Sequence, residues 1–197
     1  MDKREKNIYE VGEALLAVRL TQNIVAIETA FRENLQDCAE TFLKALQIML
    51  ERTVAAQGNG KKGVVHYVCV SYLQSSFYTK LYQLRLDAYD KRHFDDLSDT
   101  HAYCSLDFIF QYISEDIDYF RKHIGKHVPH IKEHETMQFV ARYGMHYFRI
   151  VQQFVADLIM PIVMQNISGT EPLTVTFGAY MDQTVCLTEA CDEIFPC

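Results

Sequence analysis

The 197-residue sequence has no tryptophan, only four prolines and eight glycines. Without tryptophan, the aromatic bulk of a core must come from twelve tyrosines and twelve phenylalanines. Buried tyrosine hydroxyls will then need hydrogen-bond partners. So little proline and glycine leaves no linker of useful length and no stretch disordered by composition. Basic excess is also missing. The formal net charge is −7, which argues against a nonspecific nucleic-acid or anionic-membrane surface.

Long apolar runs are scarce. Near the N-terminus ALLAV is cut short by Arg19, and FVADLIMPIVM contains Asp157 and Pro161. Neither reads as a signal peptide or a membrane span. The six cysteines, Cys38, Cys69, Cys104, Cys186, Cys191 and Cys197, form no C-x-x-C pair. They read as free thiols of a reducing compartment, Cys186, Cys191 and Cys197 being spaced too irregularly for a zinc knuckle. A soluble, cytoplasmic protein is expected.

An apolar fraction of 49% is enough to build a core, and the length suits a single domain over residues 1–197. Residues 7–57 are helical in pattern: Leu35, Cys38, Ala39, Phe42, Leu46 and Met49 recur at spacings of three and four. Fifty residues is long for one helix, so a break is expected near Thr21–Asn23, giving an antiparallel pair. GNGKKG ends the run. It lacks the spacing and the Ser/Thr of a phosphate loop and reads as a connector. Strands are expected near 64–73, 81–89 and 173–180. In the second, Tyr82, Leu84, Leu86 and Ala88 alternate with Gln83, Arg85 and Asp87; in the third, Leu173, Val175, Phe177 and Ala179 share a face. Helices are expected near 105–127 and 129–164, the latter apolar on two sides and so a central core element. The sum is a mostly helical α+β fold with about three strands in a mainly antiparallel sheet.

Four of the eight histidines fall in HIGKHVPHIKEHE, residues 123–135. Pro129 lacks an amide donor and pushes Val128 from helical angles, so the helix is expected to break there. His123/His127 and His130/His134 then form two i, i+4 pairs, each able to chelate one divalent ion such as zinc. His146, Asp116 or Asp118 would have to complete a site. HIKEH resembles the inverted zinc-peptidase signature, which implies His130 and His134 as ligands and Glu133 as base. The resemblance covers five residues. That family's third ligand is a downstream glutamate on another helix, and here the glutamates after the motif are Glu135, Glu171, Glu189 and Glu193. Arg121, Lys122, Lys126 and Lys132 surround the same segment, and a helix start there would suit an anion or nucleotide.

No G-x-S-x-G elbow is present, and the acids at Asp95–Asp96 and Glu115–Asp116–Asp118 read as solvated stretches. The leading expectation is a non-enzymatic protein that binds another protein, itself included as a homodimer, through its N-terminal helices. A metal-binding protein or small metal-dependent hydrolase, and an anion binder, stand behind it.

Overall fold

A computed structural model describes residues 2–167, 173–182 and 184–188. The fold is α+β and mostly helical. Helix α1 runs Lys3–Glu33, with Asp2 as its cap accepting from the Glu5 amide at 2.7 Å. It stops at Asn34, whose amide and side-chain Nδ2 both donate to the Ala30 carbonyl. Helix α2 follows at Leu35–Gly58. The break therefore lies at Asn34, and the expected break at Thr21–Asn23 is corrected. Thr21 donates to the Ala17 carbonyl within α1, and Asn23 is buried in helix.

Next come β1 (Tyr67–Tyr72), the short α3 (Ser76–Thr79), β2 (Gln83–Tyr89), β3 (Ala102–Ser105) and α4 (Asp107–His123). Helix α5 (Glu133–Phe154) passes through a π turn, Val155–Ile159, into α6 (Met160–Asn166). The wider turn precedes Pro161, which has no amide to donate back into a regular helix. Strands β4 (Thr174–Ala179) and β5 (Thr184–Cys186) complete the described elements.

Contacts divide the chain into two compact units. One holds the residues up to Leu35, Phe77–Leu81 and Asp107–Val151. The other holds Gln36–Ser76, Tyr82–Leu106 and the chain from Gln152 onward.

The first unit is helical. Helix α1 packs on α4, and close approach is possible because Gly12 has no side chain: a Cβ there would lie 2.3 Å from Phe139 Cε2 and 2.9 Å from Phe120 Cε2. Those two rings stack at 4.0 Å. Gly144 likewise admits Phe77, with a Cβ at 2.2 Å from its ring.

The second unit is built on the sheet, ordered β3-β2-β1-β4-β5. It has five strands where three were expected, and β1 pairs with β4 in parallel while the other pairs are antiparallel. The alternation read from the sequence holds. Val68, Val70, Leu84, Leu86, Ala88, Ala102, Cys104, Val175, Phe177 and Ala179 occupy one face by register, and all are buried. Tyr67, Cys69, Ser71, Arg85, Asp87, Tyr89, Thr176 and Thr184 occupy the other. Of α2's expected stripe, Cys38, Phe42, Leu46 and Met49 are buried, whereas Leu35 is exposed.

Candidate functional site

The histidine segment is an irregular connection. Helix α4 ends at His123, whose ring stacks on Tyr119 at 4.1 Å while its Nδ1 donates to the Tyr119 carbonyl at 2.8 Å. A 3-10 turn, Ile124–Lys126, leads to His127, and buried Ile124 and Val128 anchor it. His130 has φ 53°, a left-handed conformation uncommon for a residue with a Cβ. Helix α5 begins at Glu133, four residues beyond the expected start at Pro129. His127 therefore lies outside α4 and His130 outside α5, so neither pair sits on one helical turn.

Among the described residues no group of three or more His, Cys, Asp or Glu side chains is placed to hold a metal ion. Glu133, the base in the zinc-peptidase reading, is ion-paired to Arg121 at 2.7 Å. His146 Nε2 lies 3.2 Å from Glu13 Oε1. His134 and Glu135 line a cleft with Asp2, Glu5 and Arg142. Glu171, Glu189, Cys191, Glu193 and Cys197 lie outside the described residues.

The chain's own carboxylates occupy the expected anion position. Glu135 Oε2 accepts from the Lys132 amide at 2.8 Å, the reach-back of a capping box. Arg4 grips both oxygens of Glu135 and also donates to the His130 carbonyl at 3.0 Å. These bonds hold the Glu135 carboxyl down to about 2, the Arg4 guanidinium contributing most. Lys122, Lys126 and Lys132 are exposed.

Two acids read as solvated are buried. Asp116, with no exposed surface, is the hub of the helical unit. Its Oδ1 accepts from Arg19 Nε at 2.7 Å. Its Oδ2 accepts from Tyr143 and Tyr147 hydroxyls at 2.6 Å each and from Asn23 Nδ2 at 3.1 Å. Burial, and then the bond to Asp116, push both tyrosines far above the ordinary phenol range. Four donors from the chain's own side chains converge on this carboxylate, so the hub is a fastening. Asp96 is the second case. It pairs with buried Lys62, which also donates to the Ala88 carbonyl at 2.6 Å, and accepts from the Asp90 and Ser98 amides.

The polar face of the sheet carries a contact that sequence spacing did not signal. Cys69 Sγ lies 3.9 Å from His93 Nε2, and burial lowers the affinity of that imidazole for a proton. His93 also has a left-handed φ of 54°. Nearby, the Arg85 guanidinium stacks on Tyr180 at 4.2 Å and chelates Asp87, beside a cavity of about 320 Å³. The Thr176 and Thr184 hydroxyls are buried and meet no hydrogen-bond partner among the described residues.

The surface that stands out most is the outward side of α1. Its inward side is fastened by polar pairs at intervals along the helix: Arg4 to Glu135, Glu5 to Arg142, Glu13 to His146, Arg19 to Asp116, and Asn23 to Asp116 and Tyr147. Apolar residues are left outside, with Val18 68% and Val25 59% exposed. Ile8, Leu16 and Ile27 are buried on the inward side with Asn23, so the exposed valines lie outside a face that is already apolar. An 18-residue window of α1 reaches a mean hydropathy of 1.2 with 17% of it buried. By length and composition α1 and the helix Glu133–Asn166 are each apolar enough to cross a membrane, a property that core helices of soluble proteins share. The sequence signal was the pair Arg19 and Asn23, set four apart inside an apolar run.

No protein family, curated protein or solved structure matches this chain.

Proposed function

We propose that this chain is a non-enzymatic intracellular protein that works by holding another protein against the outward side of α1. The observation that carries the reading is the outward side of that helix: its inward side buries Ile8, Leu16 and Ile27 and pairs Arg19, Arg4 and Glu5 with Asp116, Glu135 and Arg142, and Val18 and Val25 still face solvent. Exposed apolar side chains gain by leaving water, up to about 1.5 kcal/mol for a valine. A rigid helix already fastened to its own fold loses little conformational freedom when a partner arrives. Among the described residues Cys38, Cys69, Cys104 and Cys186 form no disulfide, which supports a reducing compartment.

The test is capture from native cytoplasm with the wild-type chain beside a Val18→Glu/Val25→Glu variant whose circular dichroism is unchanged. Partners held by wild type and lost by the variant are expected. Equal capture by both overturns the reading, as does sedimentation of wild type, but not the variant, with neutral lipid vesicles.

A further inference from the structure

We infer that the cavity on the polar face of the sheet binds an uncharged planar ring with a carbonyl or ring-nitrogen acceptor, the chemistry of a nucleobase. The cavity, about 320 Å³, lies between β2, the loop that follows His93, and Tyr180 and Met181 after β4. That volume is at the lower end of small-molecule sites, roughly 300–1,000 Å³. Its walls are held in shape. His93, next to Phe94, has φ 54° and Met181 has φ 57°, a left-handed conformation that a residue with a Cβ keeps only where its surroundings impose it.

The hydrogen-bonding capacity left over in the lining is of one kind. The Arg85 guanidinium gives Nε and Nη2 to the two oxygens of Asp87, at 2.8 and 2.9 Å, while Nη1 meets no hydrogen-bond partner among the described residues. Tyr89 is 6% exposed, and its hydroxyl likewise meets no partner among the described residues. Donors so far removed from water favour a ligand that brings them an acceptor. The carboxylates are engaged instead: Asp87 with Arg85, Asp96 with Lys62 and the Asp90 and Ser98 amides, Asp99 with His101.

Charge and shape narrow the class. Three carboxylates against one guanidinium in the lining oppose an anion, and Arg85 opposes a cation. What fits is uncharged. Flat surfaces come from Tyr180, on which the Arg85 guanidinium stacks at 4.2 Å, and from Phe94, whose ring meets Tyr89 at 5.4 Å. Aromatic and guanidinium planes are the surfaces on which unpaired bases stack, and a guanidinium beside a hydroxyl can read the acceptors on a base edge.

NMR titration of the full chain with uridine, cytidine, adenosine and guanosine, each beside its monophosphate, tests this. At least one nucleoside is expected to bind saturably below about 10 mM, and more tightly than its monophosphate. Tyr89→Phe keeps the ring and removes only the hydroxyl, and should weaken that binding about three- to tenfold. Tyr180→Leu should weaken it as well, by removing a flat wall. Because Tyr89→Phe conserves the ring, it stays informative if Tyr180→Leu fails to fold. The absence of saturable nucleoside binding overturns the inference. So does tighter binding of the monophosphates, which would mark a phosphate site, or nucleoside binding indifferent to Tyr89→Phe.

Discussion

Arg19 donates from Nε to Oδ1 of Asp116 at 2.7 Å, joining a guanidinium with 31% of its side chain exposed to a carboxylate with none. Two tyrosines and an asparagine complete the shell, so removing the carboxylate orphans several donors at once. Asp116→Ala is expected to destabilise the fold by about 3–5 kcal/mol, and Asp116→Asn by less. Urea midpoints at unchanged slope are the readout; a loss below 1 kcal/mol for the alanine variant would contradict the role given to the hub.

The same hub sets an alkaline limit. Tyr143 and Tyr147 hold their protons more tightly folded than unfolded, because burial and then Asp116 oppose the phenolate. Their contribution is whole below about pH 10, the unfolded value, and disappears as pH rises above it. Part of the tyrosinate absorbance should therefore appear late and together with unfolding, and earlier in Asp116→Ala. Smooth titration of all tyrosines without unfolding would count against it.

Glu135 acts at the acid end. Its carboxyl, held at about 2 chiefly by Arg4, sits below the unfolded value of about 4.3. The stability it lends is present above that unfolded value and is lost as pH falls toward 2. In Arg4→Ala the carboxyl should titrate at higher pH by NMR and the acid dependence should flatten; an unmoved titration would exclude Arg4 as the cause.

Gly12→Ala pits helix propensity against space. Alanine favours helix by about 1 kcal/mol, but its Cβ would lie 2.3 Å from Phe139 and 2.9 Å from Phe120. Overpacking of that kind costs about 1–3 kcal/mol, so a lower melting temperature is expected. A higher one would mean that the stacked rings yield.

Lys62 and Asp96, both side chains without exposure, give a double-mutant cycle. Lys62→Met strands a buried carboxylate and should cost about 3–5 kcal/mol. Lys62→Met with Asp96→Leu should cost less than the sum of the single changes; strict additivity would show that the pair does not interact.

What the sequence revealed followed period and length. The alternation in QLRLDAY and TVTFGA located β2 and β4, whereas β3 and β5, four and three residues at the sheet edges, are too short to show a period. The parallel pairing of β1 with β4 depends on a crossover more than a hundred residues long, which no local pattern records. Pro129 signalled that α4 and α5 are separate helices. It did not reveal that His130 turns left-handed and delays α5 to Glu133, because that conformation is fixed by tertiary bonds such as Arg4 to the His130 carbonyl. Asp116 looked like one of several surface acids because its four donors come from α1 and α5, far along the chain.

The interleaving of the two units bears on how the polypeptide is made. The chain passes from one to the other after Leu35, Ser76, Leu81, Leu106 and Val151, so no single cut yields either one intact. A ribosome must release everything through Val151 before the helical unit has all its parts, and Arg19 and Asn23 of α1 wait for Asp116 and Tyr147 to be synthesised.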